Sequence, residues 1–263
     1  MTTRKSWRTV GISSQGGSHT KTGDPCQDAH RWRVLPCGTL VIAIADGAGT
    51  AALAEIGAKM AVTAALEAVC GSLGAAVRDD DTDEEWRAML VGGLNAALEL
   101  LKIEASTRQA ALRDFACTLA VAVARPGRMI AAIQIGDGAV VAQEDGGETF
   151  AVTRPAPSEY LNETTFLISP AAIDGASFTL WRGNLSRIAA LTDGLQMLAL
   201  RMPGGDPHQG FFEPLFRFVA ATGSPVESET ALRAFLDSSR VRERADDDLT
   251  LFLAACGPED NPD

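Results

Sequence analysis

Leu40-Val41-Ile42-Ala43-Ile44-Ala45-Asp46-Gly47-Ala48-Gly49 runs six apolar residues into a carboxylate and two glycines. Six residues suit a fully buried strand and are too few to cross a bilayer. Two other stretches repeat the form. Met129-Ile130-Ala131-Ala132-Ile133-Gln134-Ile135-Gly136 delivers Asp137-Gly138, and Arg187-Ile188-Ala189-Ala190-Leu191-Thr192 delivers Asp193-Gly194. A fourth inverts the order, with Ala245-Asp246-Asp247-Asp248 ahead of Leu249-Thr250-Leu251-Phe252-Leu253. A fifth acid, Asp28, stands just before a strand expected at residues 29–35.

Outward from these stretches, strands are expected at residues 7–13, 39–45, 116–124, 129–135, 139–143, 178–181, 186–191 and 249–254. Residues 14–28, polar and rich in glycine, read as a loop. An alanine-rich helix is expected over 50–70, with Thr50 as its cap and Gly71 as its stop. A second is expected over 83–108, where Trp86, Leu90, Leu94, Ala97 and Leu101 recur at helical spacing. The acidic run 79–85 reads as a solvated N-terminal cap that suits the helix dipole. Further helices are expected at 194–200, 211–221 and 227–239, with a charged loop at 240–247. Strands in runs with hairpin-length links argue for antiparallel sheets covered by helices, not for a βαβ nucleotide-binding sheet. No repeat of 20–50 residues is visible.

Composition narrows the function. Thirty-four acidic against 23 basic residues give a net charge of −11, which argues against nucleic acid as a partner. No basic amphipathic stretch suggests a membrane surface. The five cysteines, an odd number with no C-x-x-C pair, imply a reducing cytoplasm and no disulfide framework. The charged start of the chain lacks the apolar stretch of a signal peptide. One domain over residues 1–256 with a frayed tail at 257–263 is expected.

Carboxylates at the ends of buried strands would repel one another if the strands converged, and burial would raise their pKa values further. A bound divalent cation removes that cost, and hard cations such as Mg²⁺ and Mn²⁺ favour oxygen ligands. With three histidines and no cysteine cluster, a zinc site is poorly supplied. One Asp-Gly pair alone is ordinary hairpin-turn chemistry. Three at the ends of strongly apolar runs, with an acidic triplet before a fourth, shift the reading toward a metal cluster. Each following glycine is expected to turn with positive φ and let its carbonyl approach a metal.

The series C-Q-D-A-H (residues 26–30), I-A-D-G-A-G (44–49), I-G-D-G (135–138), L-T-D-G (191–194) and D-D-L-T (247–250) resembles the metal-dependent Ser/Thr protein phosphatases of the PP2C (PPM) family, in its bacterial branch. The order matches from about residue 10 to 254. The resemblance implies an α+β fold, an αββα sandwich of two antiparallel sheets flanked by helix pairs, with a two-metal site at one end. It implies Mn²⁺ or Mg²⁺, two ions with a weaker third. Asp46 resembles the carboxylate that bridges both metals, with the Gly47 carbonyl as a ligand. Asp193 and Asp247 resemble ligands of the first metal, Asp28 the acid serving the second, and Asp137 the acid of the third. Asp248 takes a position often held by Asn, either behind the ligands or as a further ligand of the third metal. The chemistry implied is hydrolysis of phosphomonoesters by a metal-activated water, with no phosphoenzyme intermediate.

Three departures matter. The arginine that grips substrate phosphate in relatives is absent, since Gly23 stands there; His19 and Lys21 share that loop and are the candidates to replace it. A histidine that follows the first D-G in many eukaryotic members is Ala48 here. Residues 154–185, with Tyr160 and Trp181, occupy the place of a substrate-shaping flap. The expected function is signalling phosphatase activity on phospho-Ser/Thr proteins, with a cognate Ser/Thr kinase or a von Willebrand-type protein as partner by analogy. The rival reading is a phosphatase-like scaffold that binds a kinase or signalling partner with little turnover. Cys26 reads as a small buried residue, and Thr118 as a packing residue.

Overall fold

The computed structural model describes residues 5–74, 82–155 and 164–258. Twelve strands and seven α-helices follow in the order β1 (Lys5–Ser14), α1 (Gly17–Thr22), β2 (Ala29–Val34), β3 (Leu40–Ala45), α2 (Ala54–Leu73), α3 (Asp83–Arg108), β4 (Leu119–Arg125), β5 (Met129–Ile135), β6 (Ala139–Glu144), β7 (Thr149–Ala151), β8 (Ser177–Arg182), β9 (Leu185–Leu191), α4 (Gln196–Ala199), β10 (Leu200–Arg201), β11 (Asp206–Pro207), α5 (Gln209–Ala221), α6 (Pro225–Leu236), α7 (Ser239–Arg242) and β12 (Leu249–Pro258). Two five-stranded sheets carry the fold, in the orders β1-β12-β9-β6-β7 and β2-β3-β4-β5-β8, with every pairing antiparallel.

The apolar runs make four layers because each strand alternates its side chains between two cores. Val41, Ala43 and Ala45 of β3 point to α2 and α3, as do Ala131 and Ile133 of β5. Leu40, Ile42 and Ile44, with Ile130 and Ala132, point to the other sheet. There they meet Ile188 and Ala190 of β9 and Phe252 and Ala254 of β12. The opposite faces of those strands, including Leu251 and Leu253, pack on Phe212, Phe216 and Leu232 of α5 and α6. The result is the expected helix–sheet–sheet–helix sandwich. It explains why antiparallel strands read as unbroken hydrophobic runs: both faces are covered.

The helix α3 matches its expected span, fixed at the start by Thr82 and Glu85 in a reciprocal capping box. Other expectations are corrected. The helix α2 starts at Ala54, not near Thr50, because residues 48–51 turn first and the Leu53 N–H donates to the Asp114 carbonyl. It runs past Gly71, which faces open space, and ends before Gly74 at φ 52°. By length and mean hydropathy (1.3) α2 could cross a membrane, but half of that stretch is buried against its own sheet and α3. The loop at 14–28 contains α1, stopped by Gly23 at φ 81°. Part of the charged loop at 240–247 is α7. Gly257 and Pro258 of the expected tail pair with Ser6 and Lys5. The segment expected as a flap includes β8, the edge strand, where Trp181 packs on Phe150 with ring centroids 4.8 Å apart. Tyr160 and residues 79–81 of the acidic run before α3 lie outside the described residues.

Candidate metal centre

Antiparallel pairing gathers the acidic residues at one end of the sandwich. Ala29 pairs with Ala45, so Asp28 enters β2 beside the point where Asp46 leaves β3. The strand β5 runs in the same sense as β3, two strands away, and carries Asp137 beyond its end. Leu191 pairs with Leu251, which sets Asp193 at the end of β9 near Asp247 and Asp248 ahead of β12. Oxygen atoms of Asp46, Asp137 and Asp193 come within 4.8 Å of one another, all three side chains half-buried.

The glycines are needed here for a different reason from the one the sequence suggested. Gly47, Gly138 and Gly194 do not have positive φ; Gly136, on the other side of its aspartate, does, at 101°. What the three share is crowding. A Cβ would sit 2.9 Å from the Ala54 backbone at Gly47, 2.8 Å from the Leu191 carbonyl oxygen at Gly138, and 2.1 Å from the Asp248 carbonyl oxygen at Gly194. Strand ends that bring carboxylates together also bring backbones together. Gly194→Ala is expected to cost roughly 1–3 kcal/mol by overpacking and to depress activity through displacement of Asp193. Thermal unfolding and a phosphatase assay read both, and an unchanged melting temperature would refute the crowding.

The site is electrostatically strained. Burial, then the charges of Asp28, Asp193 and Asp247, hold the Asp46 carboxyl well above the ordinary range. Burial raises Asp193 to about 7, helped by Asp137 and Asp247. Burial also raises Asp28 to about 7, against hydrogen bonds from Thr192 and Thr250 and with the charges of Asp248 and Asp193. Asp28 is 3% exposed; its Oδ2 accepts from Thr192 Oγ1 at 2.7 Å. Its Oδ1 and the Oδ1 of Asp137 are buried with no hydrogen-bond partner among the described residues. Such atoms cost free energy unless something positive meets them. Converging hard oxygens with two orphaned acceptors fit a hard divalent cation; the close-set group of Asp46, Asp137 and Asp193 contains neither imidazole nor thiolate.

Asp247 and Asp248, neighbours in sequence, are placed differently. Asp247 is exposed and acts on Asp46 and Asp193 through its charge. Asp248 is buried, and both its oxygens are occupied. Its Oδ1 accepts from the Gly16 N–H at 2.6 Å and its Oδ2 from the Gln27 N–H at 2.5 Å, with His19 Nδ1 at 2.9 Å. It therefore staples both ends of the segment that carries α1 and leads into Asp28. Burial pulls the His19 imidazole down, but Asp248, Asp247 and Asp24 outweigh it and leave it raised. Lys21 is 74% exposed, with Nζ 3.5 Å from Asp246 Oδ1 on the outside of the same segment.

Residues 15–237 match the sequence profile described as Protein phosphatase 2C. Serine/threonine-protein phosphatase 3 of Escherichia coli (strain K12) is 36% identical over 259 residues, covering 95% of this chain and 98% of that protein. The chain belongs to the protein phosphatase 2C family. Solved structures agree on the fold. The serine/threonine phosphatase of S. agalactiae superposes with a TM-score of 0.65 at 12% identity, covering 95% of this chain and 99% of that one. A bacterial serine phosphatase gives 0.62 at 12%, covering 97% and 99%.

Within this protein phosphatase 2C chain, several residues support the acids without a motif that announces them. Thr118 is more than packing. Its Oγ1 accepts from the Asp46 N–H at 2.9 Å, and its own N–H donates to the Asp46 carbonyl at 2.8 Å. A Cβ at Gly136 would meet its methyl at 2.4 Å, so the threonine also wedges the end of β5. Thr192 accepts from the Thr250 N–H at 3.0 Å while donating to Asp28. The threonines in L-T-D-G and D-L-T were the available signal. Thr118→Val is expected to weaken Mn²⁺ binding about 10- to 100-fold, the usual cost of losing a residue that orients a ligand. Metal titration followed by thermal shift checks it; unchanged affinity would return Thr118 to packing. Cys26 does not compete as a nucleophile, because burial and then Asp28 push its thiol up to about 12.

Proposed function

We propose that this chain works as a serine/threonine protein phosphatase whose cations, Mn²⁺ or Mg²⁺, are held by the carboxylate end of the sandwich. The observation that carries the reading is the convergence of Asp46, Asp137 and Asp193 beside the orphaned oxygens of Asp28 and Asp137. Asp46 with the Gly47 carbonyl, Asp193, Asp247, Asp28 and Asp137 would hold the cations. When bound, such cations supply an activated water and offset charge on the phosphoryl group. The chain's own part is positional. Thr118 fixes the Asp46 backbone, Thr192 orients Asp28, and Asp248, with its oxygens taken by protein donors, holds the α1 segment in place and is not itself a ligand.

His19 is favoured over Lys21 for the substrate phosphate, because it is the one held beside the carboxylates, 14% exposed, while Lys21 pairs outward. Residues 164–168 close one side of the site. Thr164 Oγ1 donates to Asp137 Oδ2 at 2.9 Å, and Phe166 and Ile168 pack on Ala48, Ala51 and Ala54. That supports a role for the expected flap in substrate access. Five free cysteines support a reducing, cytoplasmic setting, and a Ser/Thr kinase must supply the substrate; a von Willebrand-type partner rests on the family analogy. The scaffold reading is not favoured, since all five acids stand at the same end.

The test is release of phosphate from a phosphothreonine peptide with Mn²⁺, with and without EDTA. Activity abolished by EDTA is expected, as is a roughly tenfold rise in KM for His19→Ala with kcat little changed, the pattern of lost substrate binding. Lys21→Ala is expected to match the wild type. Activity that survives chelation would reject the reading.

A further inference from the structure

On the outer side of the β1-β12-β9-β6-β7 sheet, α5 and α6 border a groove of about 500 Å³. That volume lies within the ~300–1,000 Å³ typical of small-molecule sites. Phe211 and Phe218 of α5 and Leu232 and Phe235 of α6 line it. The three phenylalanines are only half-buried, and the Phe211 and Phe235 ring centroids lie 6.1 Å apart. Arg240 of α7 and Arg244, four residues on, complete the lining, and both are exposed. Among the described residues no aspartate or glutamate lines the groove. Arg244 Nη1 donates to the Arg240 carbonyl at 2.9 Å, and among the described residues neither guanidinium has a carboxylate partner. In a chain of net charge −11, these two arginines place a local positive charge at the edge of an aromatic groove.

We propose that this groove binds an amphipathic anion: a monomeric organic carboxylate whose apolar body lies on the phenylalanine rings and whose head group is gripped by Arg240 and Arg244. Guanidinium forks match carboxylates with paired hydrogen bonds. A cationic amphiphile would find no counter-charge in the groove. A neutral one would bury apolar surface but leave the guanidinia unused. A stable protein contact spreads over ~800 Å² per partner, more than one drug-sized groove supplies. The groove shares no residue with the carboxylate end, so its occupancy can be measured without metal or turnover.

The experiment is calorimetric titration of the full-length protein in EDTA with sodium dodecanoate, kept below its micelle concentration. Dodecanoate is expected to bind one per chain, and dodecyltrimethylammonium at least tenfold more weakly. Arg240→Gln/Arg244→Gln is expected to weaken dodecanoate at least tenfold. Ala231→Trp, placed on the exposed rim of α6 so as to fill the groove without cutting the core, is expected to abolish binding. Its melting temperature and far-UV circular dichroism confirm the fold. The proposal is overturned by absence of binding, by equal affinity for the carboxylate and the ammonium compound, or by equal affinity of the arginine variant. A wild-type dimer in sedimentation that Ala231→Trp dissociates would also overturn it, by making a second copy of the chain the occupant.

Discussion

Asp46→Asn is expected to cut Mn²⁺-dependent turnover by about 10³-fold, roughly 4 kcal/mol of transition-state stabilisation, while raising the melting temperature of the metal-free protein. The two effects have one cause. Burial, and then the charges of Asp28, Asp193 and Asp247, hold the Asp46 carboxyl far above its ordinary range, so its ionised form opposes folding. Asparagine keeps the shape and the backbone clamp to Thr118 but removes the charge. Relief of about 1–2 kcal/mol at a site of this kind corresponds to a rise of roughly 2–8 °C in a domain of this size. Saturating Mn²⁺ reverses the order, because the wild type gains stability by mass action and the variant has lost a ligand. Asp193→Asn should behave in the same way. A melting temperature in EDTA below the wild type, together with an equal gain on adding Mn²⁺, would remove Asp46 from the metal site.

The conflict between stability and charge also explains what could be read from the chain. Buried strands ending in acids are visible as text, because six apolar residues and a carboxylate are a local pattern. That is why β3, β5 and β9 and the antiparallel αββα architecture were legible, and why α3, with its apolar periodicity and Thr82–Glu85 cap, was found to the residue. The misses depend on contacts between distant segments. The start of α2 is set by the carbonyl of Asp114, a residue far downstream of Leu53 in the chain. The helix α1 has a weak local pattern and is held by the Asp246 carbonyl, which accepts from the Ser18 N–H, and by Asp248. The glycines after the aspartates looked like turn glycines, yet are required because another backbone lies against each. Asp247 and Asp248 are indistinguishable by type; only the fold shows that the second is consumed by Gly16, Gln27 and His19. Asp137, read as the acid of a weaker third ion, belongs to the same compact group as Asp46 and Asp193.

In EDTA the protein is expected to become more stable as pH falls from about 8 toward 6, and Mn²⁺ is expected to flatten or reverse that trend. Asp28 and Asp193 stand near 7 in the folded chain against an ordinary 3.8, a difference of 3.2. Between those values the folded state binds protons that the unfolded state does not, so lowering the pH stabilises the fold. At 1.36 kcal/mol per unit, one such carboxyl carries a penalty of roughly 4 kcal/mol above pH 7 that is gone below about pH 4. His30 works in the opposite direction. Burial lowers it to about 4 from 6.5, against a hydrogen bond that the ring donates to the Gly11 backbone, and its Nδ1 lies 2.7 Å from Ser13 Oγ. Its contribution is complete above 6.5 and is lost as pH falls toward 4. Below pH 6.5 His30 therefore offsets only part of the gain from the two carboxyls, and His30→Gln should steepen the rise in stability as pH falls from 6.5 toward 4. Bound cations take the place of the protons on the carboxylates, so the stabilisation by Mn²⁺ should grow with pH from 6 to 8. Melting temperatures at intervals across that range, in EDTA and in Mn²⁺, decide the matter: parallel curves would mean that protons and metal do not compete for these carboxylates.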